Sequence, residues 1–303
     1  MMMPQIAAHV FNTPLMVHQG KAAAIVAGLG ARLLGGAVEF AGPDAISHVA
    51  FEQGRPSMGT LSGRLERRAA QSMQPLYDVI SGVAIIPIEG TLVHKGGWVG
   101  SYSGDTSYEG LQAQIMKVRR DMSVRGVVFE VDSYGGQVSG AFETADMLHA
   151  LSREKPTIAI LTDCAYSAGY LLASACKSIV LPEMGGCGSI GVITMHADYS
   201  KALDMQGVKV TLIAEGAHKA DWNPYEALPK DVADKARAEI AAAREKFCTT
   251  VARYRGARLS YAGAMATESD CFIGEDAVKR GLADATGNPN EAFAAFINQV
   301  NRA

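Results

Sequence analysis

One serine in this chain lies where a protein can hold a nucleophile. Ser167 is flanked by small residues in the segment Asp163-Cys-Ala-Tyr-Ser-Ala-Gly-Tyr170. An apolar run over residues 157–161 predicts a buried strand before it, and residues 171–175 predict a helix after it. The start of a helix favours negative charge, and small neighbours let another backbone approach. Because the same pattern is typical of packing or helix capping, the serine needs partners before it indicates chemistry.

The first partner that Ser167 needs is a base, because an unaided hydroxyl is a weak nucleophile. Histidine is the usual base, and His94, His196 and His218 lie near the ends of predicted strands, so a Ser–His arrangement stays open. Lysine is the other possible base. Lys219 lies in a predicted loop at the end of a strand, where a solvated surface lysine is the alternative interpretation.

The second requirement is a set of backbone N–H groups that can hold an oxyanion. Gly135-Gly136 follow one predicted strand and precede a helix, so their N–H groups could act together with the one that follows Ser167. A tight turn explains the two glycines equally well. Gly188-Ser-Ile-Gly191 is open in the same way, since a turn with a small polar residue has this sequence too.

Strands and helices alternate in the region that must position these residues. Continuously apolar strands are predicted over residues 82–88, 126–131, 157–161, 178–181, 191–194 and 208–213. Helical patterns lie between several of them, and a long helix over about 230–254 and a last one over 291–300 follow. This order predicts an α/β fold with a mostly parallel sheet flanked by helices. Residues 132–136 and the Ser167 turn both fall at carboxyl ends of strands, where such sheets place their sites.

The first 80 residues differ from the rest in composition. We predict that residues 1–80 form an N-terminal extension of short helices and a connector, and that residues 81–303 form the main domain with C-terminal helices. Helices are predicted within about residues 22–35 and 65–73. The apolar stretch 22–30 is too short to cross a bilayer, which favours a soluble cytoplasmic protein without membrane contact.

Charge and cysteine usage exclude several classes of partner. The 303 residues carry a net charge of -3 with both signs mixed along the chain, which does not suggest nucleic-acid binding. The five cysteines include no Cys-x-x-Cys pair, which argues against a disulfide framework or a zinc site. We therefore expect no zinc site of this kind.

Four motifs occur in an order and spacing that resemble the signal peptide peptidase A family. They are Asp132-Ser-Tyr-Gly-Gly-Gln-Val138, Tyr166-Ser-Ala-Gly-Tyr170, Gly188-Ser-Ile-Gly-Val192 and Gly216-Ala-His-Lys219. That family consists of serine proteases with a Ser/Lys dyad on a fold related to Clp protease and crotonase. Phe11-Asn-Thr-Pro-Leu-Met16 and the residues after Lys219 are similar to one branch, the tailed-phage capsid (prohead) protease.

The resemblance implies a role for six residues. They are the nucleophile Ser167, the general base Lys219, the lysine-orienting Ser189, and the oxyanion-hole donors Gly135, Gly136 and Ala168. Tyr134 stands where the family often has proline, which leaves the rigidity of that loop open.

The chemistry of a lysine base sets a condition on Lys219. A free lysine titrates near 10.4, whereas a base at neutral pH needs a pKa of roughly 7–8. Because a shift of about three units costs about 4 kcal/mol, the amine must leave water. We therefore predict that Lys219 is largely desolvated and faces the hydroxyls of Ser167 and Ser189.

The resemblance thus implies a serine endopeptidase that works through an acyl-enzyme and requires neither a metal nor a cofactor. Its expected substrates are capsid, scaffold or portal proteins of an assembling phage head in the host cytoplasm, and its expected form is a homo-oligomer. Three alternatives stay open. They are a soluble signal-peptide-peptidase-like protease that degrades proteins, a crotonase-type acyl-CoA enzyme without need of the Ser167/Lys219 pair, and a non-catalytic structural head component.

Overall fold

A computed structural model gives the fold, and it describes residues 13–18, 76–96, 101–102 and 104–302. The helices predicted near residues 22–35 and 65–73, and the apolar stretch 22–30, lie outside the described residues. Within the described part, no helix is long and apolar enough to cross a membrane.

Eleven strands form one sheet in the described part of the chain. They are β1 (Leu15–Val17), β2 (Asp78–Ile80), β3 (Val83–Val93), β4 (Ser101–Tyr102), β5 (Asp105–Ser107), β6 (Gly126–Gln137), β7 (Thr157–Tyr166), β8 (Ser178–Leu181), β9 (Gly186–Gly188), β10 (Cys271–Ile273) and β11 (Ala285–Thr286). The main order is β10-β9-β7-β6-β3-β5-β4. The pairs β3–β5, β3–β6, β6–β7, β7–β8, β7–β9 and β8–β11 are parallel.

Eight α-helices lie within the described residues. They are α1 (Tyr108–Arg120), α2 (Ala141–Glu154), α3 (Ala168–Ser174), α4 (Ser200–Met205), α5 (Lys230–Arg255), α6 (Tyr261–Met265), α7 (Gly274–Lys279) and α8 (Pro289–Arg302). The α1 helix begins at Ser107, whose side chain accepts a hydrogen bond from the Gly110 N–H. Such a cap satisfies one of the free N–H groups at a helix start.

Apolar side chains bury both faces of the central strands. Alternate residues of β3, β6 and β7 point to opposite sides, which is why these strands are apolar throughout. One side joins the main core with α1, α2, α3 and α5. On the other side, Phe296 and Val300 of α8 pack against Val83, Val128 and Ile160. The predicted α/β class, with a mostly parallel sheet and flanking helices, is confirmed.

The C-terminal part is fastened to the sheet by a buried ion pair. Asp284 accepts hydrogen bonds from the Ile179 N–H at 2.7 Å and from Arg255 Nη1 at 2.9 Å. The Arg255 side chain is fully buried, and Arg258 lies 3.0 Å from the same carboxylate. Burial opposes the charge of Asp284, but these donors outweigh it and hold the pKa of the carboxyl below its ordinary value.

Two of the predicted strands differ from the structure. Residues 208–213 form no strand, and Ile213 is 96% exposed, because no edge within the described chain pairs with them. The strand predicted at 191–194 is reduced to one bridge between Ile193 and Leu15. In contrast, β6 and β7 run past the apolar segments that predicted them, so Gly135 and Gly136 belong to a strand rather than to a tight turn.

The described parts of the extension belong to the same sheet. β1 pairs with β6, and β2 pairs with β3. The division of the chain at residue 80 stays a prediction, since most of the extension lies outside the described residues.

Candidate active site

Ser167 is the single residue between β7 and α3. Its backbone is in a left-handed conformation, with φ 54 and ψ -119, which is uncommon for a residue other than glycine. The Ser167 N–H donates to the Gly188 carbonyl at 2.9 Å, and its own carbonyl accepts from the Leu171 N–H at 2.9 Å. These two bonds hold the strained backbone in place. Strain of this kind concentrates at functional sites.

The Ser167 hydroxyl is buried and unpartnered. The residue is 0% exposed, and its Oγ makes no hydrogen bond. Its side chain does not cap α3, so capping does not explain why the serine is there. A buried hydroxyl without a partner costs free energy, and in a native protein that cost calls for a functional reason.

Ser189 directly follows β9, the strand that pairs with the end of β7. β7 and β9 pair Tyr166 with Gly188, so the two serines follow paired residues. Ser189 also has a left-handed backbone, with φ 53, and it is 8% exposed. Its side chain forms a hydrogen bond with the Cys271 thiol. The structure therefore brings Ser189 beside the proposed nucleophile, while its hydroxyl has another partner.

Gly135 brings the proposed oxyanion donors together with Ser167. Its φ is 94, and a Cβ added there would lie 2.2 Å from the Met16 carbonyl oxygen, 2.9 Å from Ser167 Cβ and 3.1 Å from the Ala168 nitrogen. Only glycine fits such a position. The Gly135 N–H donates to Ser133 Oγ at 3.2 Å. Gly135, Ala168 and Ser167 thus meet at one point, although the Gly135 N–H already has an acceptor.

Gly136 is enclosed on both sides by strands. β6 pairs it with Leu92 of β3 and with Met16 of β1. The His18 N–H donates to the Tyr134 carbonyl at 2.9 Å, and hydrogen-bonded pairs alternate along an antiparallel ladder. Met16 and Gly136 are therefore the next hydrogen-bonded pair, which directs the Gly136 N–H at the Met16 carbonyl.

Lys219 does not reach Ser167 in the single chain. It is exposed, and among the described residues its amine makes neither a hydrogen bond nor an ion pair. The prediction that Lys219 is desolvated and faces Ser167 and Ser189 is therefore wrong for the isolated chain. The physical reason is that residues 208–216, which precede it, are themselves exposed and lack a strand partner in the described part of the chain.

Histidine offers no alternative base in the described structure. The His94 ring contacts Ser139 Oγ at 3.0 Å, that of His196 the Glu226 carbonyl at 3.4 Å, and that of His218 the Asp221 carboxylate at 3.0 Å. Since Ser167 Oγ has no hydrogen-bond partner, none of the three histidines activates it here.

The cysteines around Ser167 are poor competitors for its role. Burial raises the pKa of the Cys164 thiol to about 12, and it also raises that of Cys187 to about 12 and that of Cys271 to about 11. A thiol is nucleophilic only as the thiolate, and these thiols stay protonated at neutral pH.

Sequence reasoning missed two contributors to the site. Ser133 is fully buried, and its Oγ donates to the Gly90 carbonyl at 2.7 Å while it accepts from Gly135, so it fixes the glycine loop. Its place two residues before Gly135 was the available signal. The strand β1 also reaches the site, and nothing in its sequence pattern located it there.

A family model matches the half of the chain that holds both serines and the lysine. The model of peptidase family S49 matches residues 149–301, a range that contains Ser167, Ser189 and Lys219. The chain belongs to peptidase family S49. The match begins after Gly135 and Gly136, so the glycine loop lies outside it.

Phage proteins are among the relatives of this S49 chain. The head-tail preconnector protein GP5 of Enterobacteria phage P21 is 37% identical over 98% of this chain and 57% of its own length. The capsid assembly protease C of Escherichia phage lambda is 35% identical over 99% of this chain and 66% of its own length. The chain thus spans less than two thirds of either relative. The resemblance to the peptidase family and to its phage capsid branch is confirmed.

A solved structure of an enoyl-CoA hydratase/isomerase family member is also similar. It aligns with a TM-score of 0.44 at 14% identity, over 74% of this S49 chain and 74% of that one.

Proposed function

We propose that this S49 peptidase is a serine endopeptidase that processes proteins of an assembling phage head in the host cytoplasm. The observation that carries the proposal is the buried, strained and unpartnered Ser167 beside the Ala168 N–H and Gly135. The two phage relatives point to head proteins, that is capsid, scaffold or portal chains, as the substrates.

The proposed reaction proceeds in two halves. The Ser167 hydroxyl attacks the substrate carbonyl while the Lys219 amine takes its proton, and the lysine then returns that proton to the leaving amine. Water hydrolyses the resulting acyl-enzyme. The Ala168 N–H, with the N–H of Gly135 or Gly136, stabilises the tetrahedral oxyanion, and one such donor is worth about 3–4 kcal/mol. Ser189 orients the lysine once its hydroxyl is released from Cys271.

This mechanism needs a change of environment around Lys219. An amine surrounded by water cannot act as a base at neutral pH, and Lys219 is exposed in the single chain. The segment before it exposes apolar side chains, including Leu212 at 48% and Ile213 at 96%. We infer that a second copy of the chain covers this segment, which would bury the apolar side chains and remove water from the amine. The proposed homo-oligomer is therefore the active form.

The proposal is tested by co-expressing the chain with the head proteins of its phage. We expect cleavage, followed by mass spectrometry, with the wild type and with Lys279→Ala, a control lysine that is exposed at the end of α7 and lies outside the segment before Lys219. Ser167→Ala and Lys219→Ala should leave the head proteins uncut.

Each other outcome has a distinct meaning. Cleavage by both Ser167→Ala and Lys219→Ala at the wild-type rate would refute the dyad. Heads that assemble normally while no variant cleaves anything would favour a structural head component. Light scattering across a dilution series tests the oligomer, since specific activity should fall as the chain dissociates.

A further inference from the structure

The strand β1 is inserted between two parts of the site. β6 pairs with β7 as far as Ser133 and Ala165, and beyond that point its free edge, Gly135 to Gln137, is taken by β1 in antiparallel register. On its other side β1 meets Ile193. The Leu15 N–H donates to the Ile193 carbonyl at 2.8 Å, and the Ile193 N–H donates back at 2.9 Å. The main chain of β1 is therefore hydrogen-bonded along both edges.

β1 also lies against the proposed nucleophile. The Met16 carbonyl oxygen and Ser167 Cβ both lie within 3 Å of the point that a Gly135 Cβ would occupy. That carbonyl faces the Gly136 N–H in the ladder. The Met16 carbonyl belongs to an extended strand and lies next to a serine and a backbone N–H, which is the position expected for the carbonyl of a bound peptide substrate.

The side chains of β1 fill apolar surfaces on both faces of the strand. Leu15 and Val17 pack against Ile193 and Met195, whereas Met16 points the other way and is 0% exposed within the main core. Beyond the strand, the His18 ring lies 5.0 Å from that of Tyr166. Three consecutive apolar side chains are thus accommodated next to Ser167.

We propose that Leu15–Val17 fills the groove in which the substrate main chain binds, and that a substrate has to displace it. This inference rests on the proposed function of Ser167. With β1 in place Ser167 is fully buried, so no substrate carbonyl reaches its hydroxyl. The ligand class is an extended polypeptide that adds antiparallel to Gly135–Gln137 and presents three successive apolar side chains, a form of β-strand addition.

The first test locks the strand in its groove. Leu15→Cys with Ile193→Cys places two cysteines on an antiparallel hydrogen-bonded pair, where the Cα separation of about 5.5 Å permits a disulfide. The probe is a labelled peptide with the sequence of residues 11–20, added to full-length chain that carries Ser167→Ala. We expect the oxidised double variant to bind no peptide and the reduced form to regain binding. The single Ile193→Cys variant should not respond to reductant.

The second test weakens the strand instead. Met16→Asp places a carboxylate in the core and should release β1, so the labelled peptide should bind at least about tenfold more tightly than to the parent chain, since the tethered competitor is gone. Met122→Asp is the matched control, because Met122 is 91% exposed and lies outside the site. Its affinity for the peptide should equal that of the parent.

The outcomes separate this proposal from the proposed function. Peptide affinity that is the same with β1 locked, released or unaltered would overturn the proposal, even if the wild type cleaves head proteins. Affinity that follows β1 as expected, with a wild type that cleaves nothing, would support the groove and refute the proposed protease. Because binding is read in the Ser167→Ala background, neither result depends on catalysis.

Discussion

Replacing Ser167 by alanine should abolish cleavage and at the same time stabilise the isolated chain. The Ser167 hydroxyl is fully buried and makes no hydrogen bond, and a buried unsatisfied group costs about 1–3 kcal/mol. Ser167→Ala removes that cost. The left-handed backbone strain is unchanged, because alanine keeps the Cβ. We take the low end, about 1 kcal/mol, which corresponds to a rise in melting temperature of about 2 °C in a chain of this size.

The matched control is a second fully buried serine whose hydroxyl has partners. Ser133 Oγ donates to the Gly90 carbonyl at 2.7 Å and accepts from the Gly135 N–H at 3.2 Å. Ser133→Ala leaves both groups unsatisfied and should lower stability by about 1–3 kcal/mol. Both variants delete one buried serine hydroxyl, but the expected changes in stability have opposite signs. Thermal and urea unfolding measure these changes, at a concentration where light scattering reports single chains.

A destabilisation by Ser167→Ala as large as that by Ser133→Ala would refute this reasoning, since it would mean that the Ser167 hydroxyl has a partner in the single chain. The same measurement on the assembled form has a different expected result. If assembly brings the Lys219 amine to Ser167, the hydroxyl gains a partner and the stabilisation by alanine should disappear.

Two further predictions concern the glycine loop and the buried ion pair. Gly135→Ala should lower the free energy of unfolding by about 2 kcal/mol and abolish cleavage, because its Cβ would lie 2.2 Å from the Met16 carbonyl oxygen. Gly104 is the control, since it also has a positive φ but has open space around it. In thermal unfolding, Gly104→Ala should cost only about 1 kcal/mol. The lowered pKa of Asp284 means that its contribution is present above the ordinary carboxyl pKa of 3.8 and is lost as the pH falls through the lower folded value. Asp284→Asn should therefore cost about 3 kcal/mol of stability at pH 7, since it leaves Arg255 buried without its counter-charge. In urea unfolding from pH 7 to 2, the variant should lose less stability on acidification than the wild type. Parallel pH profiles of the two proteins would contradict this.

The central strands and the Ser167 turn were predictable because their causes are local. A strand buried on both faces has to be continuously apolar, so β3, β6, β7 and β8 are visible in the sequence. The helix over Lys230–Arg255 was predictable from a different local signal, the helical periodicity of its own side chains. The turn at Ser167 follows directly from where β7 ends and α3 begins.

The remaining features depend on pairing between distant residues. Gly135 and Gly136 look like a turn in sequence, and only the pairing with Leu92 and Met16 makes them a strand. The segment 208–213 has the composition of a strand, yet a strand also needs an edge to pair with, and the described single chain offers none. The burial expected for Lys219 failed for that reason, because the chemistry requires a covering surface whose source the sequence does not identify.

Two separate conditions must therefore be met before Ser167 can act under the proposed mechanism. First, the strand β1 has to leave Gly135–Gln137, because Ser167 is fully buried while β1 is in place. Second, the exposed Lys219 amine has to be removed from water, because an exposed amine is not a base at neutral pH. Release of β1 is a first-order event within one chain, whereas covering the Lys219 segment with a second copy depends on concentration. Under the proposed mechanism, a chain that meets neither condition is held inactive until substrate binding and assembly occur together.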